Sequence, residues 1–178
     1  SMLPKCSESE KAQIAKEFVK FNERAMVRYL GDMRSYNYVI IPIHDFDQVV
    51  YNIRAIDFDQ QCYEGKLKVY LPQFFKENYK MVKLVQEKLQ KSSVHQYKIE
   101  ERSMVAKRFL SYEVRIEELL NCMKNDTISI EKNISLLKNQ AYKVTSDINF
   151  KKSDNMGELL KYTLDYVRRN YEKPLNKF

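Results

Sequence analysis

Glycine and proline are scarce in this sequence, and their scarcity limits the folds that are open to it. The 178 residues include 3 glycines and 4 prolines. Because these residues form turns and interrupt helices, their scarcity favours long helices over a β fold with many turns. Gly31, Gly65 and Gly157 stand far apart, which excludes a glycine-rich phosphate-binding loop. We therefore predict a mainly α fold in a single domain over 3–178.

The spacing of apolar residues predicts where the helices lie. Residues 7–30 repeat apolar side chains at steps of three and four, after a start signal at Ser7 or Ser9. A second helical region is expected over 73–172. The helices predicted within it are 73–91, 94–124, 127–146 and 154–171, with an interruption at Ser92 and Ser93 after the first. Asp126 or Thr127 is the predicted cap of the third helix, and Asp154 is the predicted cap of the last.

One β-hairpin is expected over 38–56, between the helical regions. Residues 38–43 (YVIIPI) and 49–56 (VVYNIRAI) are rich in β-branched side chains, which favour strands. The stretch HDFDQ at 44–48 is predicted to be the turn that joins them, and Pro42 places the first strand at an edge or a bulge. The predicted fold class is therefore mainly α with one β-hairpin (α+β).

The tetrapeptide DFDQ occurs twice, and the predicted hairpin separates the two copies. The copy at 45–48 lies at the hairpin tip, about 20 Å from the base at roughly 3.3 Å per residue. We interpret it as turn chemistry, which aspartate suits. The copy at 57–60 returns to the base, beside the loop at 31–37. Carboxylate and amide oxygens suit Mg²⁺, so the base is a predicted magnesium site. The oxygens that meet there come from Asp32, Asn37, Asp57 and Asp59.

These motifs resemble the protein-kinase-like superfamily. GDMRSYN at 31–37 looks like the catalytic loop of the aminoglycoside and choline phosphotransferases, and IDFD at 56–59 looks like their metal-binding segment. The order of elements is similar too, with a long helix before the loop, a hairpin between loop and metal segment, and helices afterwards. Leu30 departs from the family, which has histidine there. The resemblance implies the helical C-lobe of a kinase-like fold.

The resemblance also assigns a role to each site residue. Asp32 matches the catalytic aspartate, and Arg34 falls where the family contacts the transferred phosphate. Asn37 and Asp57 match the residues that hold Mg²⁺ on ATP, and Asp59 is a further metal contact. The implied reaction moves the terminal phosphate of ATP to the hydroxyl group of an unknown acceptor.

The N-lobe of such an enzyme is missing from this sequence. Only 31 residues precede Asp32, and they contain neither a phosphate-covering loop nor its paired lysine. The resemblance therefore implies a piece of a larger protein, whose N-lobe is supplied in cis or in trans. We do not expect this chain to turn over substrate alone.

A non-catalytic helical interaction module is the alternative interpretation. The net charge is +7, and basic residues gather at 151–152 and 167–173, which would suit a nucleic acid or an acidic partner. Asp165 and Glu172 interrupt that basic surface, so nucleic acid is the less favoured partner. The aromatic run at 70–79 is either a core seam or a surface for a substrate or partner.

The remaining chemistry-bearing residues predict no further site. Cys6, Cys62 and Cys122 form no CxxC pair, and without a signal peptide they indicate reduced thiols in a cytoplasmic protein. His44 and His95 have no partner at metal-ligand spacing. No apolar stretch approaches the length of about 18 residues that a membrane span needs, so no membrane partner is expected.

Overall fold

The computed structural model describes residues 5–46, 48–125 and 130–176. In these ranges the chain forms six α-helices and one two-stranded antiparallel sheet, which confirms a mainly α fold with one β-hairpin. None of the helices in the described ranges is long and apolar enough to cross a membrane. The elements are α1 (Glu8–Val27), β1 (Tyr38–Asp45), β2 (Gln48–Ala55), α2 (Tyr79–Lys88), α3 (Lys91–Ser111), α4 (Glu113–Lys124), α5 (Glu131–Thr145) and α6 (Met156–Asn170).

Helix α1 is the central element of the fold. It begins with a capping box, in which Ser7 Oγ accepts the Glu10 N–H at 3.2 Å and Glu10 Oε2 accepts the Ser7 N–H at 2.7 Å. It then contacts α2, α3, α6 and β2. Because it has neighbours on several sides, α1 buries most of its apolar residues, among them Phe18, Phe21 and Ala25.

Helix α1 ends earlier than predicted, and Gly31 is not what ends it. The helix stops at Val27, and Tyr29 takes a left-handed conformation with φ of 50°. No glycine in the described ranges has positive φ. A Cβ atom on Gly31 would instead lie 2.6 Å from the Gln60 carbonyl oxygen. Gly31 is therefore needed for a close backbone approach rather than for a helix break.

The first strand of the hairpin is longer, and the turn shorter, than predicted. β1 and β2 pair in register from Tyr38 opposite Ala55 to Asp45 opposite Gln48. The predicted turn at 44–48 is therefore wrong at both ends, because cross-strand pairing continues until only two residues remain between the strands. Asp47, the second of those two, lies outside the described residues.

Side chains of α1 bind the free edge of β2. Glu17 Oε1 accepts the Ile53 N–H at 3.4 Å, and Arg24 donates to the Ile53 carbonyl at 3.1 Å. The backbone groups of Ile53 thus point away from β1. Because antiparallel pairs alternate, Tyr51 and its partner Pro42 also form a pair without ladder hydrogen bonds. The missing N–H of Pro42 therefore costs the sheet no hydrogen bond, as its predicted edge position requires.

Helix α2 begins six residues later than predicted. Residues 67–78 fold as three short 3₁₀ turns, because Phe75 is extended and interrupts any continuous helix from 73. The end of α2 also differs from the prediction. The break falls at Leu89, which is extended, whereas Ser92 and Ser93 lie inside α3.

The helix predicted over 94–124 is two helices. Tyr112, with φ of −126° and ψ of 26°, leaves the helical conformation and separates α3 from α4. The predicted cap of α6 is also wrong by one residue. Asn155, rather than Asp154, accepts the Glu158 N–H, at 2.9 Å. The caps predicted for the preceding helix, Asp126 and Thr127, lie outside the described residues.

Two apolar clusters stabilise the fold. One lies between α1, the hairpin and α2, and the other lies where α3 to α6 meet the end of α1. Members of the first include Ile14, Phe18, Phe21, Tyr38, Ile53 and Leu84, and members of the second include Val27, Tyr29, Tyr70, Leu137, Phe150 and Leu159.

A buried ion pair joins α1 to α3. Glu23 is 1% exposed and Arg102 is 2% exposed, and Arg102 Nη1 lies 2.6 Å from Glu23 Oε2. Arg102 Nε donates to the Tyr171 carbonyl at 2.6 Å, and Nη2 donates to the Glu172 carbonyl at 3.4 Å. Arg102 therefore connects α1, α3 and the chain that follows α6.

We expect the substitution Arg102→Met to lower the free energy of unfolding by about 3–5 kcal/mol, because it leaves the Glu23 carboxylate buried without its main partner. Urea denaturation measures the change. Lys11→Met is the control, since it removes an exposed pair with Glu8 that water screens, and should cost much less. If Arg102→Met lost no more unfolding free energy than Lys11→Met, the buried Glu23–Arg102 pair would not be a main support of the fold.

Candidate functional site

The loop at 31–37 is held in place by a buried asparagine. Asn78 is fully buried, and its Nδ2 donates to the Met33 and Pro72 carbonyls, both at 2.8 Å. The Tyr38 hydroxyl donates to Asn78 Oδ1 at 2.9 Å. One side chain thus fixes the loop, the start of β1 and the 3₁₀ turns. No local pattern in the sequence singles out Asn78, because Gln73, Lys76 and Glu77 in the same aromatic run are polar too.

Within this loop the structure brings Asp32 and Asn37 together. Asn37 Nδ2 donates to the Asp32 carbonyl at 2.7 Å and to Asp32 Oδ2 at 3.4 Å. The Arg34 N–H also donates to the Asp32 carbonyl, at 2.7 Å, and Asp32 has a positive φ of 51°. Asn37 is buried while Asp32 is half-buried. The loop is therefore closed on itself, with the Asp32 carboxylate at its surface.

The segment that follows the hairpin packs against this loop. The Ile56 N–H donates to the Asn37 carbonyl at 3.0 Å, and the Gly31 N–H donates to the Gln60 carbonyl at 3.3 Å. Leu30 and Gln61 form an isolated antiparallel bridge. Backbone contacts on both sides thus bring residues 57–60 beside the loop. Asp45, in the other DFDQ copy, pairs with Gln48 at the far end of the hairpin.

Asp57 and Asp59 form a local turn at the surface. The Asp59 N–H donates to Asp57 Oδ1 at 3.2 Å, as in an Asx turn. Asp57 is half-buried and Asp59 is exposed. This hydrogen bond is ordinary turn chemistry and does not itself require a metal. It leaves Asp57 Oδ2 and the Asp59 carboxylate as the outward oxygens of the segment.

Arg34 lies against the carboxylate of Asp32. Its Nε is 2.7 Å from Asp32 Oδ1, in a direction that forms an ion pair rather than a hydrogen bond, and its Nη1 is 3.8 Å from Glu77. Nη1 also donates to the Tyr36 hydroxyl at 3.1 Å, and the guanidinium lies 5.5 Å from the centre of the Phe75 ring. The Tyr36 hydrogen bond, followed by the charge of Asp32, raises the pKa of Arg34.

The loop and the segment beside it carry carboxylate and amide oxygens, the kind of ligand that Mg²⁺ prefers. Asn37 Oδ1 accepts no hydrogen bond from the described residues, because the hydrogen bonds of this side chain run through Nδ2. In the same ranges, no three side chains of His, Cys, Asp or Glu form a group that could hold a metal. Proteins commonly bind Mg²⁺ with one or two carboxylates and leave the other positions to water and substrate phosphates.

A concave surface lies next to the loop. It is a pocket of about 650 Å³ whose lining includes Ser35, Val39, Glu77 and Tyr79. Ser35 belongs to the loop itself, and Glu77 is the residue near Arg34. Its volume is in the range of small-molecule pockets, so a ligand could bind within reach of the loop.

No protein-family model, curated protein or solved structure matches this chain. The resemblance to the kinase-like superfamily therefore depends on the sequence motifs at 31–37 and 56–59 alone.

We expect Asn78→Ala to lower the free energy of unfolding by roughly 2–4 kcal/mol, because it removes the buried partners of the Met33 carbonyl and the Tyr38 hydroxyl. Urea denaturation measures the loss, and amide NMR shifts of 33–37 report whether the loop moves. The exposed Asn121→Ala is the control, with an expected change within about 0.5 kcal/mol. Unchanged shifts over 33–37 would show that Asn78 does not hold the loop.

We expect Gly31→Ala to separate the loop from residues 57–60, because the added methyl group would meet the Gln60 carbonyl oxygen at 2.6 Å. The cost should be about 1–3 kcal/mol of unfolding free energy, as for other overpacked contacts. Amide NMR shifts at Gln60 and Gln61 locate the change. Ser35→Ala, at an exposed position of the same loop, should leave those shifts in place.

Proposed function

We propose that this chain is the helical C-lobe of a kinase-like phosphotransferase. The observation that supports the proposal most strongly is the contact between the loop at 31–37 and the segment at 57–60. Two polar motifs that lie 20 residues apart in sequence, from Asn37 to Asp57, become neighbours through the hairpin. The pairing of Tyr38 with Ala55 brings the two motifs together in the order that the resemblance implies.

Each site residue has a proposed role. Asp32 orients the acceptor hydroxyl and accepts its proton, while its hydrogen bonds with Asn37 keep the loop closed. Asn37 and Asp57 hold Mg²⁺, with Asp59 as a further oxygen ligand. When bound, Mg²⁺ neutralises charge on the phosphates of ATP.

Arg34 would contact the transferred phosphate. Its guanidinium already lies at the surface of the loop, 40% exposed, and is held between Asp32 and Glu77. Arginine presents several N–H groups, so one side chain can keep its ion pair with Asp32 and still donate to a phosphate oxygen.

The proposal includes a missing partner. The residues that cover phosphates in kinase-like enzymes are not supplied by the motifs found in this chain. An N-lobe, in cis or in trans, would have to complete the site, and the chain alone is not expected to transfer phosphate.

A non-catalytic interaction module remains the second candidate, and the outer face of the hairpin favours it. Val39, Ile43 and Val50 are exposed by 37%, 43% and 38% on that face. Exposed apolar side chains on one face of a hairpin are typical of a surface that binds a protein partner. Nucleic acid is disfavoured, because Arg168 pairs with Asp165 within the C-terminal basic region.

We expect Mn²⁺, used as a paramagnetic substitute for Mg²⁺, to broaden the amide NMR signals of Asn37 and Asp57 in the presence of ATP. The broadening should be lost in Asp57→Asn, which removes a charged ligand from the site. Asp45→Asn is the matched control, because it makes the same change in the other DFDQ copy and should leave the broadening intact.

The outcomes of this experiment separate the candidates. Broadening centred on Asp45, or none at all with ATP present, would contradict the phosphotransferase proposal. The interaction module would then be the better description of the chain.

A further inference from the structure

A second pocket lies on the other side of the hairpin, between α1, α3 and the free edge of β2. Its volume is about 630 Å³, which is ordinary for a small-molecule site. Asp32, Asn37 and Asp57 do not line it. The pocket is therefore separate from the site proposed above, although Leu30 and Phe58, which do line it, belong to the same two segments.

The lining carries five basic side chains and two acidic ones. Two of the basic groups are neutralised by neighbours. Lys20 lies 3.0 Å from Glu100, and Arg24 lies 2.5 Å from Glu17 and 3.2 Å from Glu101. Both lining acids are thus already paired with Arg24.

The other three basic groups have no such neighbour. Arg28, Arg54 and Arg108 make no ion pair with any described residue. Desolvation, and then repulsion from Arg24 and Arg108, lowers the pKa of Arg28. Arg28 as a whole is still exposed, and the guanidinium groups of Arg24 and Arg108 lie close enough to crowd it with positive charge. An anion would relieve that crowding.

The pocket also has exposed apolar walls. Phe58 and Met104 are 46% and 42% exposed. A ligand that suits both features has an anionic group at one end and an apolar or aromatic body at the other. A guanidinium group suits phosphate better than a lysine ammonium group does, because its N–H groups can donate to two phosphate oxygens at once.

We propose that this pocket binds a small phosphate ester, with its phosphate group on Arg28 and Arg108 and its apolar body against Phe58 and Met104. The site needs no metal. It is independent of the phosphotransferase proposal, since the two sites have no proposed ligand residue in common.

The test is calorimetric titration of phenyl phosphate and of inorganic phosphate into the protein, with EDTA present and at low salt. We expect both to bind, and phenyl phosphate to bind more tightly because its ring covers the apolar walls. Arg28→Gln and Arg108→Gln should each weaken binding by roughly 10-fold or more, as for the loss of a charge-assisted hydrogen bond. Arg115→Gln, an equal change of charge at an exposed site on α4, should weaken it less than about 2-fold.

Three results would overturn the proposal. One is the absence of saturable binding, and another is an equal loss in all three variants, which would indicate attraction by net charge alone. The third is a clear fall in the thermal unfolding midpoint of Arg28→Gln or Arg108→Gln, since it would mean that these side chains have structural partners. EDTA keeps this test separate from the Mn²⁺ experiment, so that either proposal can fail alone.

Discussion

The ion pair between Glu23 and Arg102 constrains the whole helical framework. Taking two charges out of water costs several kcal/mol for each ion, so α1 and α3 can pack only where these groups meet. Their contact at 2.6 Å therefore fixes how the two helices sit along each other. Because Arg102 also binds the Tyr171 carbonyl, the end of α6 follows the same constraint. The loop at 31–37 begins just beyond α1, so the packing of α1 against α3 also sets the position of the loop.

Two residues that are not proposed ligands hold the candidate site in place on this helical framework. Asn78 ties the loop to the 3₁₀ turns before α2, and Gly31 lets residues 57–60 approach from the other side. Asn37 then closes the loop through the Asp32 carbonyl. The result is a hydrogen-bonded loop with the Asp32 carboxylate at its surface. Such pre-organisation is what a phosphate-handling site requires, since positioning supplies much of its effect.

Local patterns in the sequence were sufficient to predict the amphipathic α1 and the β-branched hairpin. They failed where distant contacts decide the conformation. The left-handed Tyr29 ends α1 early, and its hydroxyl bonds Thr163, 134 residues away. The Asp32–Asn37 pair could be found from its spacing, whereas Asn78 acts on Met33 across 45 residues and leaves no local pattern. The basic pocket was missed for the same reason, since it combines α1, α3 and β2.

A two-stranded sheet has an open edge on each side, and here each edge carries its own block against further strands. On β1 the ring of Pro42 stands where an incoming strand would need an N–H donor. On β2 the backbone groups of Ile53 are already occupied by Glu17 and Arg24. Exposed edges are where folded chains add to one another strand by strand and aggregate. This hairpin can therefore project an apolar face into solvent without acting as a template for a growing sheet.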